Sequence, residues 1–156
     1  MEQIEIASLF PNLKFNIIGS ITFSHSSDAY FRQCQDYAEK NNIKNVNFFV
    51  NISRSELISI LRTSKFFLHN MHHEHFGIST VEAIAQGCIP IVHNSGGQKE
   101  IVPFRELRFD DKNEAIEIIR NLRKKNNAEM LSKLKENIKN FSEEKYKNDI
   151  LELIKL

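Results

Sequence analysis

Four short apolar segments alternate with amphipathic segments along the first two thirds of the chain, and their order predicts the fold. The apolar segments are rich in β-branched and aromatic residues and are bounded by polar or turn residues, as buried strands are. They are Leu13–Gly19, Val46–Val50, Lys65–His69 and Cys88–His93. Because strands that alternate with helices form parallel sheets with helices on both faces, the pattern predicts an α/β fold with a doubly wound parallel sheet.

Three local signals predict where helices begin and end. Ser53 with Glu56, and Ser79 with Glu82, have the Ser-x-x-Glu spacing of a capping box. Gly87 follows the second of these helical patterns, where a glycine commonly ends a helix. The sequence therefore predicts helices that begin just after Ser53 and Ser79, and a helix end at Gly87.

The two ends of the chain have helical patterns. The first residues form a helix-like stretch that leads into the first strand, and apolar residues recur at helical spacing from Asp110 onward. We predict two or three helices there, as a helical C-terminal tail. Its many lysines suit either a basic face for anionic lipid or a solvated helix surface, and the interspersed acidic residues favour the second.

Composition limits the classes of partner. The 156 residues are 41% hydrophobic and 26% charged, with a net charge of +1, as in one soluble globular domain. So weak a net charge does not suggest nucleic acid as a partner. Neither a leader nor a membrane span is evident in the hydropathy pattern, which predicts a cytoplasmic location. Cys34 and Cys88 are predicted to be buried thiols, because two cysteines in such contexts do not suggest a disulfide framework.

A cluster of histidines around residue 72 raises the question of a metal site. His69, His72, His73 and His75 precede or flank Glu74, with His93 further along. The HExxH and HxxEH patterns of zinc hydrolases are absent, and the HxE of zinc deaminases lacks its downstream Pro-Cys-x-x-Cys. We therefore predict no metal site.

The segment from Glu74 to Glu82 has two interpretations. Each residue alone has a structural explanation: Glu82 as a helix cap, Glu74 as a loop residue, Phe76 as a core residue, and Gly77 and Gly96–Gly97 as turns. Taken together, the same residues place two amide-rich loops at the carboxyl ends of neighbouring strands, where doubly wound sheets bind ligands. Amides at a helix start suit a diphosphate, and flanking carboxylates suit hydroxyl groups. This combination predicts a nucleotide-sugar site.

The longer strings resemble a known family. "EHFGISTVE" resembles the Glu, seven residues, Glu motif of retaining glycosyltransferase family 4, and "EAIAQGCIPIVHNSGGQKEIV" is similar to its continuation. The combination is similar to the mannosyltransferases of lipid-linked oligosaccharide synthesis. The resemblance implies that residues 1–156 form a single Rossmann-like donor-binding domain, the C-terminal half of a GT-B enzyme. It also implies a fragment that lacks the N-terminal acceptor domain and the first strand of this domain.

The resemblance also implies roles for individual residues. Glu74 would be the catalytic residue, contacting the donor sugar and stabilising positive charge at its anomeric carbon. The donor would be a GDP-sugar or another nucleoside-diphosphate sugar, bound without a metal or a cofactor. The implied donor-binding residues are Gly19, Ser20, Val50, Asn51, Ile52, His75, Phe76, Gly77, Ile78, Ser79, Glu82, Ser95, Gly96 and Gly97. Of these, Glu82 would meet the ribose, and 50–52 would lie against the base.

The implied acceptor is a glycan or a polyprenyl-linked glycan, held by the missing domain, and the full enzyme would associate peripherally with the cytoplasmic face of a membrane. The family's Arg-Lys pair and a Gly-rich stretch between Val102 and Phe109 are not found. Each lost charge-assisted contact costs about 1.5 to 3 kcal/mol, so we expect weak donor binding and an inactive isolated chain. The alternatives are a non-catalytic or split-enzyme module that needs a partner chain, and half of a sugar-nucleotide epimerase.

Overall fold

The computed structural model describes residues 1–21 and 25–154. The chain divides into two compact units, Met1–Ile60 and Leu61–Leu156. Each unit contains parallel strands and helices, which confirms the predicted α/β class. The assignment of residues 1–156 to one domain stays a prediction.

The first unit is built around two parallel strands. Its elements are α1 (Glu2–Ser8), β1 (Phe15–Gly19), α2 (His25–Lys40), β2 (Val46–Val50) and the start of α3 (Arg54–Thr63). β1 and β2 pair in register from Phe15 opposite Val46 to Gly19 opposite Val50, so both strands end at the same edge. Ile4, Cys34 and Ala38 are buried together, and strand residues such as Phe48 pack against them.

The second unit has a three-stranded parallel sheet and most of the helices. Its elements are β3 (Phe66–His69), α4 (Ile78–Gln86), β4 (Ile89–His93), α5 (Gln98–Ile101), β5 (Arg108–Phe109), α6 (Lys112–Leu122), α7 (Ala128–Ile138) and α8 (Glu143–Ile154). Two short 3-10 helices span Arg105–Leu107 and Lys139–Phe141. β4 lies between β3 and β5 and is buried along its whole length, which explains the unbroken apolar run in its sequence.

The two predicted capping boxes have different outcomes. At the start of α3 the Ser53 amide donates to Glu56 Oε2 at 2.8 Å and the Glu56 amide donates to Ser53 Oγ at 3.3 Å, so this box is confirmed. At α4 the N-cap is Gly77, with φ of +97° and no side-chain cap, so the predicted Ser79 box is wrong. The left-handed conformation of Gly77 turns the chain into the helix earlier, which leaves Ser79 inside the first turn.

Most other boundaries agree with the sequence. All four predicted strands are confirmed, and each ends at its predicted residue. Gly87 ends α4 with φ of +105°, as expected. The helical tail is confirmed as α6, α7 and α8, although the last two residues of the predicted stretch lie outside the described residues. Both cysteines are buried and free. Among the described helices, none has the length and apolar character needed to cross a membrane.

Candidate functional site

Two loops of the second unit meet at the carboxyl edge of its sheet. The first loop, residues 70–77, joins β3 to α4, and the second loop, residues 94–97, joins β4 to α5. The Gly97 amide donates to the Glu74 carbonyl at 2.8 Å. The His73 amide donates to Ser95 Oγ, also at 2.8 Å. The two loops are therefore tied together through two hydrogen bonds.

The Gly96–Gly97 pair is explained by this contact. A Cβ atom at Gly96 would lie 2.1 Å from the Glu74 carbonyl oxygen, and one at Gly97 would lie 2.2 Å from the His75 carbonyl oxygen. Gly96 also has a φ of +60°, a conformation that side-chain-bearing residues rarely adopt. Only glycine at both positions allows the loops to approach this closely.

The start of α4 presents amide groups at the first loop. The Gly77 carbonyl accepts from the amides of Thr80 and Val81 at 2.9 and 3.2 Å, which begins the helix. Within the described part of the chain, no backbone carbonyl accepts from the amides of 76–79. Unpaired amides at the positive end of a helix attract anions. The site is therefore suited to phosphate groups.

Glu74 places a carboxylate in the same loop. Its side chain is mostly buried, and Oε2 lies 3.9 Å from Nε2 of His69, the last residue of β3. Burial lowers the pKa of His69, and the nearby Glu74 carboxylate opposes that shift only in part. Because a neutral imidazole at 3.9 Å does not form a tight ion pair, the carboxylate can still accept hydrogen bonds from hydroxyl groups.

A buried row of polar side chains lies behind Glu74, and sequence reasoning missed it. Thr80 Oγ1 donates to Gln98 Oε1 at 2.9 Å, and Gln98 Nε2 lies 3.1 Å from His69 Nδ1. Thr80 and Gln98 are both fully buried. Nothing in the string "GGQKEIV" signals a buried glutamine, because its partners are 18 and 29 residues away in the sequence.

The remaining histidines support the loops. The rings of His72 and His93 stack with centroids 3.7 Å apart, and His93 Nδ1 lies 2.8 Å from Ser95 Oγ. His93 ends β4, as predicted. In residues 1–21 and 25–154, no group of three or more histidine, cysteine or acidic side chains is placed to hold a metal ion.

We expect acid to destabilise the fold before the carboxylates titrate. Burial is the main cause that lowers the pKa values of both His69 and His93, and the neighbouring His72 adds to the effect at His93. The folded chain thus binds fewer protons than the unfolded chain below the usual histidine pKa of about 6.5. The free energy of unfolding should therefore fall between about pH 7 and about pH 5.5. Urea denaturation at both pH values measures this change, which should be smaller in His93→Gln; an equal change in both proteins would contradict the assignment.

The first unit gathers its predicted residues at one edge. Gly19 and Val50 are paired at the carboxyl ends of β1 and β2, so the predicted residues 20, 51 and 52 follow at the same edge. Asn51 has a φ of +53°, and its side chain bonds to the amide and the carbonyl of Ile21 at 2.9 and 3.1 Å. The donor-binding roles of these residues stay predictions.

The predicted residues of the second unit also lie together. His75, Phe76 and Gly77 belong to the first loop, Ile78 and Ser79 form the start of α4, and Glu82 lies in the next turn of that helix. Ser95 Oγ is engaged between the two loops. Phe76 is partly exposed, and its ring packs edge-on against Phe141 of the second 3-10 helix, with ring centroids 5.4 Å apart. Their contacts with a donor stay predictions.

Three relatives show what the chain is similar to, and all three are described as "GDP-Man:Man(3)GlcNAc(2)-PP-Dol alpha-1,2-mannosyltransferase". The protein of Dictyostelium discoideum is 32% identical over 151 residues, which cover 92% of this chain and 30% of that protein. The protein of Mus musculus is 40% identical over 60% of this chain and 19% of that protein. The human protein is 37% identical over 57% of this chain and 18% of that protein. The chain thus spans less than a third of the length of these relatives.

A family model gives the broader assignment. The model described as "Glycosyl transferases group 1" matches residues 1–141 of the 156-residue chain. The match includes residues of both compact units, the five strands that the structure describes and the site loops. Together with the parallel α/β architecture, it confirms the prediction of a Rossmann-like half of a GT-B fold with a helical tail. The chain belongs to the group 1 glycosyltransferase family.

Proposed function

We propose that this chain binds GDP-mannose and is the donor-binding part of a mannosyltransferase that extends a lipid-linked glycan. The observation that carries the proposal is the joining of the two loops beside the start of α4, which brings unpaired amides and the Glu74 carboxylate to one edge of the sheet. The names of the relatives support the choice of GDP-mannose as donor.

The amides at the start of α4 suit the diphosphate of the donor. When the bond between the sugar and the diphosphate breaks, negative charge grows on the leaving phosphate, and fixed N–H groups stabilise that charge without rearranging. The left-handed conformation of Gly77 turns the chain into α4 and so sets the positions of these amides. Interactions that strengthen as the bond breaks lower the barrier to transfer, so this site serves both binding and catalysis.

Glu74 suits the other side of the same bond. In the proposed complex its carboxylate accepts hydrogen bonds from hydroxyls of the mannose and stabilises the positive charge that develops at the anomeric carbon. Glu82, about one helical turn further into α4, accepts from the ribose hydroxyls. No metal ion is assigned to donor binding, because the backbone amides supply the positive potential for the diphosphate.

The acceptor is proposed from the relatives. Their names give a dolichyl-diphosphate-linked oligosaccharide as the acceptor. We therefore infer a lipid-linked acceptor for the transferase of which this chain is a part, and peripheral association of that transferase with the cytoplasmic face of a membrane. Acceptor binding would be supplied by the rest of a longer polypeptide or by a second chain.

Isothermal titration calorimetry of the chain with four ligands tests the donor assignment. We expect GDP-mannose to bind more tightly than GDP, because the Glu74 carboxylate adds contacts to the sugar. GDP should in turn bind more tightly than UDP or ADP, and EDTA should change none of these affinities. Equal affinities for GDP and UDP would contradict the choice of base. The absence of binding by all four ligands would favour a non-catalytic assembly module.

A further inference from the structure

The buried row of Thr80, Gln98 and His69 ends beside the Glu74 carboxylate. Thr80 and Gln98 are fully buried, and neither belongs to the residues proposed to touch the donor. Three different elements supply the row: α4 supplies Thr80, α5 supplies Gln98, and β3 supplies His69. Because neighbouring side chains in the row lie at hydrogen-bond distance, the orientation of one side chain determines that of the next.

The direction of the hydrogen bonds follows from Thr80. Its hydroxyl donates to Gln98 Oε1 at 2.9 Å, so the NH2 group of Gln98 faces His69. Since Gln98 Nε2 is a donor, His69 Nδ1 must accept, and a neutral imidazole then has its proton on Nε2. If the Gln98 amide had the opposite orientation, its oxygen would face His69 Nδ1, and the proton would lie on Nδ1. His69 Nε2 would then present a lone pair to the Glu74 carboxylate, which is electrostatically unfavourable.

Gly77 contributes to the position of the glutamine. A Cβ atom on Gly77 would lie 3.0 to 3.1 Å from the three terminal atoms of the Gln98 side chain. The amide group of Gln98 therefore packs directly against the residue that begins α4. Gly77 therefore leaves space for the Gln98 amide and is also the residue at which α4 begins.

The His69 N–H faces the carboxylate without binding it tightly. Nε2 lies 3.9 Å from Glu74 Oε2, beyond hydrogen-bond distance. The ring itself stacks on Phe67 with centroids 5.8 Å apart, which restricts its rotation. Glu74 is the charged group that acts on His69 electrostatically in the described part of the chain. The N–H group thus attracts one carboxylate oxygen and leaves the carboxylate able to accept from a ligand.

From this geometry we infer that Gln98, held by Thr80, fixes His69 as the Nε2–H tautomer, and that this N–H orients the Glu74 carboxylate toward the donor sugar. His69, Thr80 and Gln98 are positioning residues that act through Glu74. The inference rests on the proposed function, because it assumes that Glu74 contacts the sugar.

Gln98→Glu tests the inference, because a carboxylate at this position can only accept. The Thr80 hydroxyl can still donate to it, but His69 must now donate from Nδ1. Proton-nitrogen correlation spectra of the histidine rings, recorded at a pH at which His69 is neutral, should show the Nε2–H tautomer in the unaltered chain and the Nδ1–H tautomer in the variant. The ratio of GDP-mannose affinity to GDP affinity should fall about three- to tenfold. The ratio is the readout because the added charge beside Gly77 acts on the diphosphate of both ligands.

A second test variant and a matched control accompany Gln98→Glu. Thr80→Val preserves side-chain size and removes the hydroxyl that orients Gln98, and it serves even if Gln98→Glu does not fold. A minor fraction of His69 should then become the Nδ1–H tautomer, because Glu74 still favours a proton on Nε2. Gln86→Glu makes the same substitution at a glutamine of α4 whose side chain accepts from Arg62 at 2.9 Å, and it should change neither the tautomer nor the affinity ratio.

The outcomes separate the two proposals. An Nδ1–H tautomer in the unaltered chain would overturn the inference, as would a switch of tautomer that leaves the affinity ratio unchanged. A failure of the unaltered chain to bind GDP-mannose would instead contradict the proposed function, on which the positioning role depends.

Discussion

Glu74→Gln is expected to abolish the chain's preference for GDP-mannose over GDP, while the affinity for GDP itself remains. Glutamine has nearly the shape of glutamate, and the backbone bond from the Gly97 amide to the carbonyl of residue 74 does not depend on the side chain. The lost negative charge is the one proposed to accept from the sugar and to stabilise the anomeric carbon. In the proposed transferase, we expect a fall in transfer rate of about 10²- to 10³-fold.

Calorimetry with the two ligands measures the change in preference, and urea denaturation shows whether the fold is retained. Glu100→Gln is the matched control, because it removes the same charge from an exposed glutamate of α5 in the same unit. If Glu74→Gln and Glu100→Gln keep the same preference for GDP-mannose as the unaltered chain, Glu74 does not contact the sugar.

Gly97→Ala is expected to separate the two loops. The added Cβ would lie 2.2 Å from the His75 carbonyl oxygen and 3.0 Å from Cα of Phe76, so backbone atoms must move. That movement would break the 2.8 Å bond from the Gly97 amide to the Glu74 carbonyl. Forcing extra atoms into such a contact costs about 1 to 3 kcal/mol of stability. Because the same movement displaces Glu74 and Phe76, GDP-mannose binding should be lost as well.

Gly97→Ala could lose GDP-mannose binding only because the fold is less stable. Gly87→Ala is the control for that explanation, because it should lower stability without moving the loops. Gly87 has a φ of +105°, but no atom outside Gly87 and its two chain neighbours lies within 4 Å of the position that an alanine Cβ would occupy. Alanine there adds backbone strain of about 1 to 2 kcal/mol without a clash. Because Gly87 lies at the far end of α4 from the loops, we expect Gly87→Ala to bind GDP-mannose normally. Normal binding by Gly97→Ala would show that loop contact is not needed for the site.

The strands were predictable because the apolar runs are short and well bounded. Each predicted strand ends at the observed residue, and the unbroken run of β4 matches its central, fully buried position. β5 was missed because two residues, Arg108 and Phe109, are too few to give a periodic signal. Its place in the sheet comes from pairing with Val92 and His93, which are distant in sequence.

The two predicted capping boxes show that the Ser-x-x-Glu spacing alone does not determine where a helix begins. Ser53 and Ser79 have the same spacing to a glutamate, yet only Ser53 caps a helix. The difference is Gly77, whose φ of +97° begins α4 two residues earlier than Ser79 would. Gly77 lies close to Ser79 in the sequence, but it packs against Gln98, which is far along the chain. The spacing of Ser79 and Glu82 alone therefore does not reveal the earlier helix start.

The candidate site was predictable to the extent that it depends on loop positions. Parallel strands bring their carboxyl ends to one edge, so the grouping of Glu74 and Gly77 with the Gly96–Gly97 pair followed from the strand order. The contacts of Gln98 with Thr80 and His69 could not be predicted, because they depend on how α4 and α5 pack on the sheet. A single buried amide has no sequence pattern of its own.

An amide chemical-shift titration of the chain with GDP determines where the phosphate groups bind. We predict that the largest saturable shifts occur at the backbone amides of residues 76–79, at the start of α4, with accompanying shifts at 95–97 in the second loop. Saturable shifts confined to other parts of the chain, with the amides of 76–79 unchanged, would contradict the account.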